Sequence, residues 1–224
     1  MMLWKNNQFF TDIPFPKVKD RPLIVAHPGA HMNYLASWNV MVDNEAPFVL
    51  VCDDLSPAYP DGWWSAHSQD NAEYFARISN PQGIGQAYRN PDLGFQNLLI
   101  HREMEAKKGL NDYPFIDIMY IDFPEIFLEG GFDFESKEPV LLQAASLLSS
   151  KVRDDGLIIF DLKNASQDLC LPKGLIEISD AISWEYIGKA EWFIIPKGVD
   201  LFHSGNQDVQ AVIYKVRNKN KFPD

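Results

Sequence analysis

The chain has 224 residues, of which 46% are hydrophobic, and its formal net charge at pH 7 is −11. We expect a single domain over residues 1–224, with an N-terminal extension at 1–21 and a basic tail at 217–224. The acidic charge disfavours unaided binding to a nucleic-acid backbone, because that affinity depends on Lys and Arg. The longest apolar runs are too short for a membrane span and the first residues lack the order of a signal peptide, so we expect a cytoplasmic protein without a membrane partner.

Short apolar runs alternate with segments of helical spacing along the chain. The predicted strands are PLIVAHPG (22–29), PFVLVCDD (47–54), IGQAY (84–88), FIDIMYIDF (115–123), LIIFDL (157–162), EWFIIP (191–196) and VQAVIYKV (209–216). The predicted helices are 30–44, 68–78, 93–110 and 136–156, and 172–182 is a helix or a loop. Gly109 and Gly156 are expected to end the third and fourth helices.

This order predicts an α/β fold with a doubly wound, Rossmann-like sheet that is mostly parallel and covered on both faces. The last two strands have only a loop between them, which predicts an antiparallel hairpin at the sheet edge. A sheet of this kind is similar to that of class I S-adenosylmethionine (SAM) dependent methyltransferases. The resemblance extends over nearly the whole chain and implies SAM as the cofactor.

The carboxyl ends of the predicted strands are the expected ligand-binding edge of such a sheet. Pro28 and Gly29 form a turn whose backbone can approach a ligand closely, because glycine has no side chain. Asp53 and Asp54 end the second strand, where a carboxylate can accept the hydroxyls of an adenosyl ribose. Asp122 lies at the end of the strand that is expected beside the reacting methyl group.

The stretch AHPGAHMNYL resembles the AAPGGWSQYL turn of the 2′-O-methyltransferase family that modifies ribosomal RNA and RNA caps. The resemblance implies a cofactor site and a catalytic Lys-Asp-Lys-Glu tetrad for methyl transfer to oxygen. The implied cofactor-binding residues are Ala26, His27, Pro28, Gly29, Ala30, Tyr34, Asp53, Asp54 and Asp122. The implied catalytic residues are Lys5, Asp122, Lys163 and Glu191. In this role a lysine removes the proton of the attacking hydroxyl, and the carboxylates orient the lysines.

The chain departs from that family at three places. Ile24 and Val25 stand where the family has an acidic residue and a glycine, and Ala30 replaces the second glycine of the turn. Asp161 occupies the position expected for the second lysine, which is found two residues later as Lys163. A catalytically inactive, methyltransferase-like binding or scaffold subunit is therefore an alternative, and a protein partner would then be expected.

A third alternative comes from LIVAHP, which resembles the first strand of zinc-dependent sugar-amide deacetylases. His27 and His31 have the spacing of two ligands on one helix face, but the acidic pair of that family is missing. Cys52 and Cys170 are too few for a zinc cluster or a disulfide scaffold and are expected to be buried apolar residues. We expect no metal site, and the methyl acceptor remains open between RNA and a small molecule.

Overall fold

A ten-stranded sheet organises the part of the chain that the computed structural model describes. The described residues are 13–19, 21–30, 37, 40–41, 47–54, 76–79, 85–89, 97–103, 105–122, 124–128, 140–161, 172–193, 208–220 and 222. The strands are β1 Leu23–Pro28, β2 Phe48–Asp54, β3 Ala76–Ser79, β4 Gly85–Arg89, β5 Asn97–Glu103, β6 Ile116–Ile121, β7 Val152–Asp161, β8 Leu175–Glu177, β9 Ile182–Phe193 and β10 Asp208–Asn218. The helices are α1 Ala106–Asn111, α2 Val140–Gln143 and α3 Ala145–Ser149, with a 3₁₀ helix at Pro124–Phe127 and helical backbone at Ser37, Val40 and Met41.

The strand order is β3-β4-β5-β2-β1-β6-β7-β10-β9-β8. The five central strands, β5 to β7 in this order, are parallel, whereas β4 and β3 are antiparallel at one side and β10, β9 and β8 at the other. From β1 the chain adds β2 and β5 on one side and then returns to add β6 and β7 on the other. The predicted α/β class and the antiparallel C-terminal hairpin are therefore confirmed, but β8 and not the hairpin forms the edge of the sheet. The strand order reverses between β1 and β6. Such a reversal opens a crevice at the carboxyl ends of the two strands.

Apolar side chains cover both faces of the sheet. Because successive side chains of a strand alternate between faces, Val25 and Ala26 of β1 belong to different core layers. The first layer includes Val40 and Met41 of the helical segment after β1. The second layer contains the apolar side of α1, α2 and α3 and the indole of Trp184 on β9. Both layers place apolar contacts close to the carboxyl edge of β1 and β6, which fixes the position of that edge.

The N-terminal segment contributes to the first layer. Ile13, Phe15 and Val18 are partly buried and pack against it. At the amino edge of the sheet, Arg21 donates to both oxygens of the buried Asp117, at 2.6 and 2.8 Å. The described part of the predicted extension is thus attached to the sheet. At the other terminus, β10 continues to Asn218, two residues into the predicted basic tail.

The helix predicted at 93–110 is wrong over Asn97–Glu103, which is strand β5. This strand pairs with β2 on one side and with β4 on the other, so pairing inside the sheet overrides the helical spacing of its apolar residues. The helix begins only at Ala106, and Gly109 lies inside it. The helix predicted at 68–78 is likewise wrong where it is described, because Ala76 begins strand β3.

The helix predicted at 136–156 ends at Ser149, and Val152 begins β7. Gly156 therefore does not end a helix. It lies where the pairing of β7 with β6 shifts register, and a Cβ at Gly156 would be 2.8 Å from the carbonyl oxygen of Asp117. The glycine is required here for close approach of two backbones.

In the C-terminal part, β9 begins at Ile182, well before the predicted start at Glu191. The segment 172–182 contains the short strand β8. Within the described part of the chain, no helix is long and apolar enough to cross a membrane.

Candidate functional site

The turn after β1 closes against the ends of two neighbouring strands. Gly29 has a φ of +70°, a conformation that favours glycine, and its N–H donates to the carbonyl oxygen of Asp53 at 2.7 Å. A Cβ at Gly29 would lie 2.6 Å from Cδ1 of Ile126, which follows β6 and is 45% exposed. Ala26 and Ala30, on either side of the turn, are buried. The turn therefore joins the carboxyl ends of β1 and β2 and contacts the segment after β6.

His27 is completely buried beside this turn. Its Nδ1 lies 2.8 Å from Oγ of Ser37, and its Nε2 lies 3.4 Å from Oδ1 of Asp122. The imidazole also packs against the ring of Tyr120, with 4.6 Å between ring centroids. Asp122 directly follows β6, so this imidazole connects the two strands between which the sheet order reverses.

A second buried carboxylate lies one strand further on. The hydroxyl of Tyr120 donates to Oδ2 of Asp161, the last residue of β7, at 3.2 Å. Burial raises the pKa of the Tyr120 phenol well above its usual value, and the charges of Asp161 and Asp122 raise it further. The phenol is therefore a hydrogen-bond donor at any physiological pH. Two carboxylates at the crevice give this edge an acidic character that suits a positively charged ligand.

The carboxylate of Asp53 is fully buried and engaged by Arg102 of β5. Nε of Arg102 donates to Oδ1 at 2.5 Å and Nη2 donates to Oδ2 at 2.8 Å. Burial raises the pKa of the Asp53 carboxyl, and the hydrogen bonds from Arg102 oppose that rise. Helix α1 packs closely against this ion pair at Gly109, where a Cβ would lie 2.8 Å from Cγ of Asp53 and 3.1 Å from Nη2 of Arg102. Both oxygens of Asp53 thus serve a structural ion pair.

The structure brings the described backbone of the predicted cofactor site to one edge of the sheet. Ala26, His27, Pro28, Gly29 and Ala30 lie at the end of β1 or directly after it, Asp53 and Asp54 at the end of β2, and Asp122 after β6. Tyr34 and the side chain of Asp54 lie outside the part of the chain that the structure describes.

The tetrad is described only in part. Lys5 and Lys163 lie outside the described residues. Glu191 is on β9 in register with Gln210, and its side chain is outside the description. Asp122 is the tetrad member whose side chain is described, and the tetrad stays a prediction.

Four residues of the site were not predicted from the sequence: Ser37, Arg102, Tyr120 and Asp161 as a hydrogen-bond acceptor. Tyr120 has a sequence signal, because a residue two positions before Asp122 in a strand lies on the same face. Arg102 has no such sequence signal, because the apolar residues of 93–110 have helical spacing and predict a helix there.

No group of three or more His, Cys, Asp or Glu side chains arranged to hold a metal occurs among the described residues. Both ring nitrogens of His27 face protein oxygens, those of Ser37 and Asp122. His31, the second histidine of the zinc alternative, lies outside the described residues.

Comparison with known proteins finds similarity at the level of solved structures. No protein-family model matches the chain, and no curated protein matches it. The chain is similar to precorrin-6y C5,15-methyltransferase from Geobacter metallireducens, with 14% identity, a TM-score of 0.39, and coverage of 88% of this chain and 82% of that one. It is also similar to TrmN from Thermus thermophilus, with 11% identity, a TM-score of 0.40, and coverage of 88% and 45%.

A third similar structure is a 16S rRNA (adenine(1408)-N(1))-methyltransferase from Catenulisporales acidiphilia, which was solved with its cosubstrate SAM. The identity is 12%, the TM-score is 0.38, and the match covers 90% of this chain and 88% of that one. None of these three names specifies ribose 2′-O-methyl transfer, so the narrower resemblance stays a prediction. The fold assignment itself rests on the strand order described above.

Proposed function

We propose that the chain is a SAM-dependent methyltransferase that transfers the methyl group to a hydroxyl oxygen. The observation that carries the proposal is the reversal of strand order between β1 and β6, at whose carboxyl ends the Gly29 turn and the buried carboxylate of Asp122 lie. In an open α/β sheet this reversal of strand order is the usual place for a nucleotide-like ligand. A glycine turn on one side and an acid on the other suit an adenosyl ligand with a positive charge.

The residues at the edge fit SAM as follows. Gly29 forms the turn with its positive φ, and Ala26, His27, Pro28, Ala30 and Tyr34 complete the proposed contact region with the methionine part. Asp54, as the last residue of β2, would accept the ribose hydroxyls. When bound, SAM supplies a methyl group on a positively charged sulfur. Both carboxylate oxygens of Asp53 accept hydrogen bonds from Arg102, so Asp53 would hold the end of β2 in place.

The proposed chemistry on the acceptor uses Lys5, Asp122, Lys163 and Glu191. Removal of the hydroxyl proton requires a neutral lysine, which burial or a nearby cation promotes. Transfer is an in-line displacement, so orientation of the acceptor supplies much of the catalysis. The acceptor class is an RNA 2′-hydroxyl or a small molecule. With a net charge of −11, RNA would need delivery by a protein partner.

Isothermal titration calorimetry with SAM and S-adenosylhomocysteine tests the cofactor. The Asp54→Ala variant should lose roughly ten- to a hundredfold in affinity, because hydrogen bonds to a charged group are worth about 1.5–3 kcal/mol. Asp180→Ala, an exposed carboxylate in the turn before β9, is the control and should bind like the wild type. No binding heat from protein with a cooperative unfolding transition would reject the cofactor.

The acceptor is tested separately with methyl-labelled SAM and pools of RNA and of small hydroxyl compounds. Lys163→Ala should abolish label transfer while leaving SAM binding intact. Unchanged transfer in Lys163→Ala would reject the tetrad and leave the cofactor site in place.

One observation favours the inactive alternative. Ile126 packs directly on the backbone of Gly29, where an approaching ligand would have to displace it. If neither ligand binds, and the protein is isolated from its native source in a stable complex, the chain is a scaffold subunit with a methyltransferase-like fold.

A further inference from the structure

The imidazole of His27 contacts Ser37 and Asp122, and these side-chain contacts are not needed to form the turn at Gly29. We propose that His27 is a positioning residue that holds the carboxylate of Asp122, and that it thereby sets the preference of the site for a positively charged sulfonium over a neutral thioether. The proposal rests on SAM binding at this edge. It goes further by assigning cofactor discrimination to a side chain outside the predicted tetrad.

The first step is the tautomer of the imidazole. Nε2 of His27 lies 3.4 Å from Oδ1 of Asp122, which is longer than a normal hydrogen bond, and because a carboxylate only accepts, a proton on Nε2 is the arrangement that attracts it. The Nδ1 of a neutral imidazole then accepts from the hydroxyl of Ser37 at 2.8 Å. The opposite tautomer would turn a nitrogen lone pair toward the carboxylate. One imidazole therefore links the helical segment after β1 to the end of β6, with Ser37 in hydrogen-bond contact on one side and Asp122 at 3.4 Å on the other.

The second step is the rigidity of the imidazole. His27 is fully buried, and its ring packs on Tyr120, whose hydroxyl is fixed by Asp161. On the other side, Cys52 of β2 is in register with His27. Among the described residues, the titratable groups around His27 are thus Asp122, Tyr120, Asp161 through Tyr120, and Cys52. An imidazole held in this way presents Nε2 in one direction, as a positioning donor must.

The third step links Asp122 to the charge of the ligand. SAM and S-adenosylhomocysteine differ at sulfur by one methyl group and one positive charge. A carboxylate near the sulfur attracts the first ligand more than the second. The effect depends on where the carboxylate lies relative to the sulfur, and the contact with Nε2 of His27 fixes that position.

Two substitutions of His27 separate the effect of a donor at the place of Nε2 from the effect of losing the imidazole ring. In His27→Gln the side-chain amide nitrogen can reach about the place of Nε2, so a donor to Asp122 is retained. In His27→Asn the amide reaches only about the place of Nδ1, so the contact with Ser37 is retained and the donor to Asp122 is lost. Both variants keep a polar, uncharged side chain at a buried position.

The readout is the ratio of the affinities for SAM and S-adenosylhomocysteine, measured by calorimetry at one pH. Relative to the wild type, this ratio should fall roughly tenfold in Asp122→Asn and roughly threefold in His27→Asn, as expected for loss or misplacement of one charge. It should stay within about twofold of the wild type in His27→Gln. Equal ratios in the wild type and in His27→Asn would overturn the proposal, as would a His27→Gln ratio as low as that of His27→Asn.

A measurement without ligand tests the pair itself. The ¹⁵N chemical shifts of the His27 ring in the wild-type protein should show a proton on Nε2, and Asp122→Asn should change them. A ring with its only proton on Nδ1 would overturn the proposal. If the shifts agree but neither ligand binds, the His27–Asp122 pair stands, and both SAM binding and the role of His27 in discrimination are rejected.

Discussion

Removal of the guanidinium of Arg102 should be among the most destabilising single changes near the site. In Arg102→Met the carboxylate of Asp53 would remain buried, without the two donors that now lie 2.5 and 2.8 Å from its oxygens. The side chain of Arg102 is only 15% exposed, so water replaces it poorly. Loss of one partner of a buried ion pair costs about 3–5 kcal/mol. In a chain of this size that corresponds to a fall of roughly 6–20 °C in the melting temperature.

The deficit should also depend on pH. Burial raises the pKa of Asp53 and Arg102 opposes the rise, so the folded-state pKa in the variant should rise further above the unfolded value. A folded state that binds a proton more tightly gains stability as pH falls. The stability difference from the wild type should therefore be largest at neutral pH and shrink toward pH 5.

Urea denaturation followed by tryptophan fluorescence at pH 7 and pH 5 measures both effects. Lys108→Met is the matched control: its ion pair with Glu105 in α1 is 3.0 Å long, but Lys108 is 78% exposed, so its loss should change stability by less than about 1 kcal/mol. Adding Asp53→Asn to Arg102→Met should restore part of the loss. A deficit of the Arg102 variant no larger than that of the Lys108 variant would show that the buried pair does not have the assigned role.

Three further changes have outcomes that denaturation can check. Gly109→Ala should cost about 1–3 kcal/mol, because the new methyl group overlaps the carboxylate of Asp53; wild-type stability would show that α1 can move away. Tyr120→Phe should cost about 1–3 kcal/mol by removing the phenolic donor to the carboxylate at the end of β7, and a neutral result would mean that water or another donor replaces it. The hydrogen bond from Lys215 lowers the pKa of Asp155 in the folded state. The ionised Asp155 carboxylate therefore stabilises the fold fully above the unfolded pKa of about 3.9, and this stabilisation is lost as the pH falls through the folded-state pKa. Asp155→Asn should therefore be slightly less stable than the wild type at pH 7 and equal to it at pH 2, and a constant difference would contradict this assignment.

Elements whose character is local were predictable from the sequence. The runs in β1, β2 and β6 are short, apolar and bounded by turn residues, so their strand character does not depend on distant neighbours. The run NLLIHRE of β5 is equally compatible with a helix, and its state is decided by pairing with β2 and β4. Long-range pairing of this kind leaves no local pattern in one sequence.

The site divides in the same way. The positions of Asp53, Asp54 and Asp122 at the ends of strands were predictable from the sequence, whereas their role in binding a ligand stays a prediction. The guanidinium of Arg102 lies 49 residues from Asp53 along the chain, and their contact depends on β5 being a strand beside β2. The error over residues 93–110 therefore also concealed the ion pair that removes Asp53 from the ligand site.

Asp53 and Asp122, at the carboxyl ends of β2 and β6, are held in chemically different ways, and this difference supports different roles for them. Asp53 is held by a guanidinium through two short hydrogen bonds, an arrangement that uses both oxygens and neutralises the charge. Asp122 is approached by an imidazole at 3.4 Å on one oxygen. An imidazole contact of this length orients a carboxylate without the bidentate pairing by which Arg102 holds Asp53. The ion pair thus fixes the end of β2, and recognition of a positive charge beside the Gly29 turn is the role that we propose for Asp122.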